Sequence, residues 1–184
     1  MLAPGLKTPT DVVHKMEREL RRAFHHKNYV HKADHLFNFC VTAHSMRDMV
    51  FLHFGVSEKT EKDRMHATWS SDPKLRAAAD IANSSKHFDL RTPPKTKGVE
   101  RTRSEVINVL VSDEGDVKTI PEEAPDLEIQ LEDGSAIGVY DFTSGVIEYW
   151  RDFLEDRGHA CPVQDEATYF GDEEDADPSP SIFL

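Results

Sequence analysis

Four polar residues of the kinds that handle phosphate chemistry recur at helical spacing in one stretch of the chain. They are Arg76, Asp80, Asn83 and His87, at i, i+4, i+7 and i+11. On a helix that spacing stacks all four along one face. An imidazole titrates near neutral pH and can move a proton. A guanidinium or ammonium can stabilise charge developing on a phosphate, and Lys86 places a second cation beside His87. The plain alternative is a solvated helix face in which Arg76 and Asp80 form an ordinary i,i+4 pair. Two features favour a site. The apolar residues of this stretch are mostly small (Ala77, Ala78, Ala79, Ala82), so the stripe is not clearly opposite a dominant core face, and its end adjoins a basic segment where a phosphate could be held.

A second polar series, Asp34, Asn38, Thr42, Ser45 and Asp48, runs along a segment that is otherwise apolar, with Leu36, Phe37, Phe39, Cys40, Val41, Ala43, Met46, Met49, Val50 and Leu52 covering most of the helical circumference. Such a segment, from Val30 to Phe54 with Gly55 as its C-terminal stop, is expected to be a central helix buried by several neighbours. Polar groups within it need partners. The stripe from Arg76 to His87 could supply them to Asp34, Asn38 and Asp48, either as a structural network that sets how the two helices register or as an active site.

The elements that would position these residues follow from local signals. Thr8-Pro9-Thr10-Asp11 opens a first helix with Val12, Val13, Met16, Leu20 and Phe24 on one side and Lys15, Arg18, Arg21 and Arg22 on the other. A polar third helix is expected over Ser57–Trp69. Ser71-Asp72-Pro73 opens a fourth that continues through Phe88. Four helices with short connections suggest a bundle over residues 8–90. Residues 91–103, with Pro93-Pro94 and Arg91, Lys95, Lys97, Arg101 and Arg103, read as an exposed basic loop. Over 104–160 the period changes. Glu105–Val111 is rich in Val and Ile, Leu127–Glu132 alternates, and Asp133-Gly134 precedes Ala136–Phe142, which is a β-hairpin signal. A fifth helix is expected from Thr143 to about Gly158. The fold class is therefore α+β: an N-terminal four-helix bundle, a small antiparallel sheet, and a C-terminal helix packed with it on the bundle. Residues 161–184 form an acidic tail without periodicity, expected to be disordered.

The helical segment from Thr10 to Phe88, with Asn83-Ser84-Ser85-Lys86-His87 near its end, resembles the HEPN superfamily, the "higher eukaryotes and prokaryotes nucleotide-binding" domains. The usual motif there is arginine, four to six residues and histidine, often with a polar residue directly after the arginine. Asn83 and His87 match the polar residue and the histidine, and Ala82 stands where the arginine would be. The resemblance implies an all-helical bundle and a metal-independent ribonuclease of a bacterial or phage defence or toxicity type. In that role His87 would act as general acid or base, Lys86 or Arg76 would stabilise the phosphate charge, and Asn83 would orient the histidine or the scissile group. A homodimer could supply the missing arginine.

Charge divides the chain. Residues 1–103 hold 19 Lys+Arg against 12 Asp+Glu, and residues 104–184 hold 3 against 22, for a net charge of −12. The basic half suggests RNA as a partner, through Arg18, Arg21, Arg22, Arg91, Lys95, Lys97, Arg101 and Arg103. The acidic half suggests a second function class: a non-catalytic interaction module that binds a basic protein or mimics nucleic acid. Alternatively, the halves simply complement each other within one molecule. Cys40 and Cys161, far apart, suggest no disulfide framework and a reducing, cytoplasmic setting. No apolar run approaches a membrane span, so no membrane association is expected. His25, His26, His31 and His35 cluster between the first two helices. His31 and His35 have metal-ligand spacing, but without a cysteine or a completing glutamate they read as a solvated basic helix entry. No metal or cofactor is expected.

Overall fold

The protein is described by a computed structural model over residues 6–84, 94–111 and 117–163. Helix α1 (Pro9–His25) opens where the sequence signals it. The Thr8 hydroxyl accepts from the Asp11 amide at 3.2 Å, and the Asp11 carboxylate accepts from the Thr8 amide at 2.8 Å, a reciprocal capping box. Helix α2 (Tyr29–His53) is capped by the Asn28 side chain, which accepts from the Val30 amide at 2.8 Å. It ends at Gly55 in the left-handed region (φ 66°), where the Val56 amide donates back to the Phe51 carbonyl at 2.9 Å. Helices α3 (Lys59–Ser71) and α4 (Pro73–Ser84) follow, and the Asp72 carboxylate caps α4 by accepting from the Lys74 and Leu75 amides, both at 2.9 Å.

Helix α2 lies at the centre, packed on α1 and on α4, and the last helix, α5 (Val139–Glu155), packs on α1. The core is continuous: Met16, Phe39, Met46, Trp69, Phe142, Trp150 and Leu154 are each fully buried. Trp69 joins α3 to α5, with its ring 5.3 Å from that of Trp150 and 5.8 Å from that of Phe153. Aromatic pairs at this spacing add to the stabilisation of burial itself.

The sheet is antiparallel in the order β1-β2-β3, with β1 Gly98–Val111, β2 Val117–Gln130 and β3 Ala136–Gly138. β1 and β2 pair over their whole length, from Gly98↔Gln130 to Val111↔Val117, and β2 pairs with β3 from Glu128↔Gly138 to Gln130↔Ala136. Gly134, at φ 86°, makes the tight β2–β3 turn. Only the proximal end of the long hairpin enters the core, through Leu127 and Ile129. Residues 117–123 are exposed, so the distal half of β1–β2 stands away from the helices as a two-stranded arm.

The expected α+β class and element order are therefore observed. Three boundaries differ. The stretch expected as a basic loop is strand from Gly98 onward, because Val99 and the following residues pair with β2. The Ala136–Phe142 strand is only three residues long, and α5 begins at Val139 rather than Thr143: once Val139, Phe142 and Val146 share a buried face, the helical period extends upstream. β2 begins ten residues before the expected Leu127. The expected fourth-helix residues 85–88 and the tail from Gln164 lie outside the described residues.

Candidate interaction surface

Arg76, Asp80 and Asn83 of the polar stripe lie on α4, and the first two are engaged. Asp80 Oδ2 accepts from the Lys95 amide (2.9 Å), the Thr96 amide (2.9 Å) and the Thr96 hydroxyl (3.0 Å). It anchors the chain as it enters β1. Arg76 donates to Glu132 in the β2–β3 turn at 3.0 Å, and Lys95 Nζ lies 3.4 Å from the other oxygen of the same carboxylate. Arg76 and Asp80 thus bond to Glu132, Lys95 and Thr96 rather than to each other, and both clamp the hairpin to the bundle. Asn83 is half-buried one turn further on. His87, Lys86 and Arg91 lie outside the described residues.

The expected complement on α2 is not formed. Asp34, Asn38 and Asp48 are exposed. Thr42 donates to the Asn38 carbonyl at 2.7 Å and Ser45 to the Thr42 carbonyl at 2.8 Å, so these hydroxyls are satisfied by their own helix. The buried polar residues of α2 are Thr42, from the expected series, and Lys32 and Arg47, from outside it. Arg47 donates to the Leu75 carbonyl at 3.4 Å and lies over the Trp69 ring, 5.9 Å from its centroid; burial lowers its pKa. Lys32 is 4% exposed at its side chain, donates to the Phe24 carbonyl at 3.0 Å, and lies 3.7 Å from Asp126.

Several of the basic residues proposed for RNA are engaged within the molecule. Arg103 pairs with Glu123 at 3.4 Å, and Arg22 with Glu19 at 3.5 Å; Lys27 lies 4.0 Å from Glu122. The Arg101 guanidinium rests over the Tyr29 ring, 5.5 Å from its centroid. Arg21 is half-buried. Arg18 and Lys97 are in none of the ion pairs among the described residues, yet they sit at opposite ends of the fold's basic sequence, on α1 and at the entry to β1. Arg76, Lys95 and Lys32 are also engaged by Glu132 and Asp126, so five cations of the basic half pair with carboxylates of β2 and its turn.

Histidines at the α1–α2 junction stack without forming a ligand set. The His26 ring lies 4.5 Å from His31 and 6.1 Å from His35, and His35 Nδ1 is 3.0 Å from Glu19. Among the described residues no group of three or more His, Cys, Asp or Glu side chains could hold a metal ion. The thiols of Cys40 and Cys161 are buried, and burial raises both pKa values.

One surface escaped the sequence reading. Helix α5 buries Phe142, Val146, Ile147, Trp150 and Leu154, and its opposite face carries Asp141, Glu148, Asp152 and Glu155, all exposed and separated by seven, four and three residues. That spacing was available in the sequence as the complement of the apolar face. None of the ion pairs among the described residues engages these four carboxylates. Arg151, on the same helix, turns inward to Glu17 of α1, and Lys74 lies against Gly145 without pairing with the stripe.

The fold and surface define an α+β protein: a helical bundle bearing a projecting β-arm and an acidic outer helix. Comparison with protein-family models, with curated proteins and with solved structures finds no match. No helix among the described residues is long and apolar enough to cross a membrane.

Proposed function

We propose that the chain is a non-catalytic interaction module that docks on a basic partner surface through the acidic outer face of α5. A single asymmetry supports this reading. Lys32, Arg76, Lys95 and Arg103 of the basic half pair with Asp126, Glu132 and Glu123, while Asp141, Glu148, Asp152 and Glu155 face solvent with no ion partner among the described residues. The chain's net charge is −12, and four carboxylates gathered on one face steer basic partners and repel polyanions. The same asymmetry argues against RNA as the main partner, since phosphate binding needs uncommitted lysines and arginines. Arg76 and Asp80, two of the five residues expected in the ribonuclease reading, are engaged with Glu132, Lys95 and Thr96.

The test is binding of a polylysine peptide as a defined basic probe, titrated with salt. Glu148→Lys/Asp152→Lys should weaken binding by about tenfold or more. A control of equal charge, Glu58→Lys/Glu100→Lys, should weaken it far less, because those exposed residues lie on α3's N-cap and on β1. Equal loss in both variants would mean that net charge alone drives binding and would sink the α5 face as a docking surface.

A further inference from the structure

Among the described residues no strand covers the outer edge of β1, although the Tyr29 hydroxyl of α2 donates to the Thr102 carbonyl at 2.6 Å, and the backbone parity of the hairpin fixes which groups that edge offers. The Leu131 amide donates to Ser135 at 2.9 Å, away from β1. Antiparallel ladders alternate, so the odd positions of β2 turn their backbone groups outward and the even positions bond to β1. Pro121 and Pro125 share that odd parity, which explains how two prolines fit within a continuous ladder: neither would have donated to β1. They also close the outer edge of β2 beyond β3 to any further strand. On β1 the odd residues opposite them, from Val99 to Val109, turn their backbone outward in the same way. That edge contains no proline, and among the described residues no strand pairs with it.

Long unpaired edges are ordinarily shortened, bent or blocked. This one is neither short nor blocked, and it carries exposed apolar residues, with Ile107 60% and Val109 58% accessible. It also contains an unresolved charge conflict. Glu105 stands directly opposite Glu123 in the hairpin, and the arginine nearest Glu123, Arg103, lies on the next row of the same face. Like charges directly opposite destabilise a strand pair.

We propose that a second copy of the chain pairs with this edge, β1 against β1 in antiparallel register, with the twofold axis at Ser104. Outward-facing odd residues must meet odd residues, so the axis has to pass through a residue. Centring on Thr102 sets Arg101 against Arg103; centring on Arg103 or Glu105 sets that residue against itself. Centring on Ser104 sets Arg103 of each copy against Glu105 of the other, Val99 against Val109, and Ile107 against the stem of Arg101. Registers centred further along the strand pair fewer residues and no opposite charges. The result is one continuous four-stranded sheet with an isologous interface, in which Arg103 of the second copy supplies the counter-charge that Glu105 lacks. The assembly is independent of the α5 docking face, which lies on a different element.

The experiment is sedimentation equilibrium of the full chain combined with cysteine cross-linking. Ser104 of the two copies would meet in a non-hydrogen-bonded pair, with Cα atoms about 4.5 Å apart, within disulfide reach. The native cysteines are buried. Mild oxidation should therefore convert Ser104→Cys to a covalent dimer. Thr102→Cys or Val106→Cys alone should not cross-link, whereas a mixture of the two should. Arg103→Glu, at an exposed side chain, should halve the sedimenting mass, and Arg103→Glu/Glu105→Arg should restore it. A wild type that sediments as a monomer at every attainable concentration overturns the proposal. So does cross-linking that is equal at 102, 104 and 106, or a charge swap that fails to restore the dimer.

Discussion

The Asp80 carboxylate on α4 accepts from both the amide and the hydroxyl of Thr96, sixteen residues along the chain, at 2.9 and 3.0 Å. With the Lys95 amide as a third donor, this one side chain fixes where the chain leaves the bundle and enters β1. Removing it leaves two backbone donors to find water. Asp80→Ala is expected to cost about 1.5–3 kcal/mol, the range for hydrogen bonds to a charged group. Thr96→Val, which deletes only the hydroxyl, should cost about 0.5–1.5 kcal/mol. Urea midpoints measure both, and hydrogen exchange should show the added opening concentrated in β1 for Asp80→Ala.

Trp69 and Trp150 hold α3 and α5 together around a shared aromatic seam with Phe153. Both indoles are fully buried. Trp69→Ala is expected to cost about 3–5 kcal/mol through lost burial and the cavity left behind. Near-UV circular dichroism should lose its tryptophan signal in parallel with the drop in melting temperature. Retention of the wild-type midpoint would show that α3 is not part of the cooperative unit.

Local signals made much of this legible from the sequence, and distance hid the rest. The Thr8–Asp11 box, the Asp72 cap, the Gly55 stop and the Asp133-Gly134 turn each involve residues within five positions, so their chemistry can be read directly. Arg76 and Asp80 were correctly placed on one helix face, but their partners, Glu132 and Thr96, come from elements whose docking the sequence does not reveal. The start of β2 is hidden in the sequence because Pro121, Pro125 and the three carboxylates Glu122, Glu123 and Asp126 lower its strand propensity. Only the ladder's parity shows that those prolines are harmless there.

Lys32 sets a pH dependence of definite sign. Burial pulls its pKa below the ordinary 10.5, and the charge and hydrogen bond of Asp126 offset this only in part. The folded chain therefore releases the proton at lower pH than the unfolded chain does. The penalty is constant at neutral pH and lifts as pH rises towards 10.5, so this group makes stability climb in that window. Lys32→Met should flatten the climb. It should also cost less than Asp126→Ala, which strands a nearly buried ammonium at about 3 kcal/mol, the lower end of the range for breaking a buried pair. Asp126 keeps 17% side-chain exposure, so it tolerates solitude better than Lys32 does.

Glu19 works in the opposite pH range. Burial pushes its pKa up, but hydrogen bonds from Lys15 and His35 and the charges of Lys15 and Arg22 bring it below the ordinary 4.5. A carboxyl lowered on folding stabilises above its unfolded value, and the contribution is lost as pH falls through the folded one. Acid titration of the wild type should show a loss of stability below about pH 4.5. Glu19→Gln should be destabilised by about 1–3 kcal/mol at neutral pH, as when a charged hydrogen-bond partner is removed, and should show a shallower acid limb.

Catalysis gives the sharpest test between the two function classes. Arg76 and Asp80 are held by Glu132, Lys95 and Thr96. A docking module should leave single-stranded RNA intact in EDTA, and wild type and His87→Ala should be indistinguishable in that assay. Cleavage by the wild type that is lost in His87→Ala and kept in Arg76→Ala would overturn the docking reading. It would place a metal-independent ribonuclease at the end of α4, with Arg76 serving only to hold the hairpin. Cleavage lost in both variants would instead require the Arg76–Glu132 pair to open during turnover. Glu132→Gln, which loosens that pair, should then raise the rate rather than lower it.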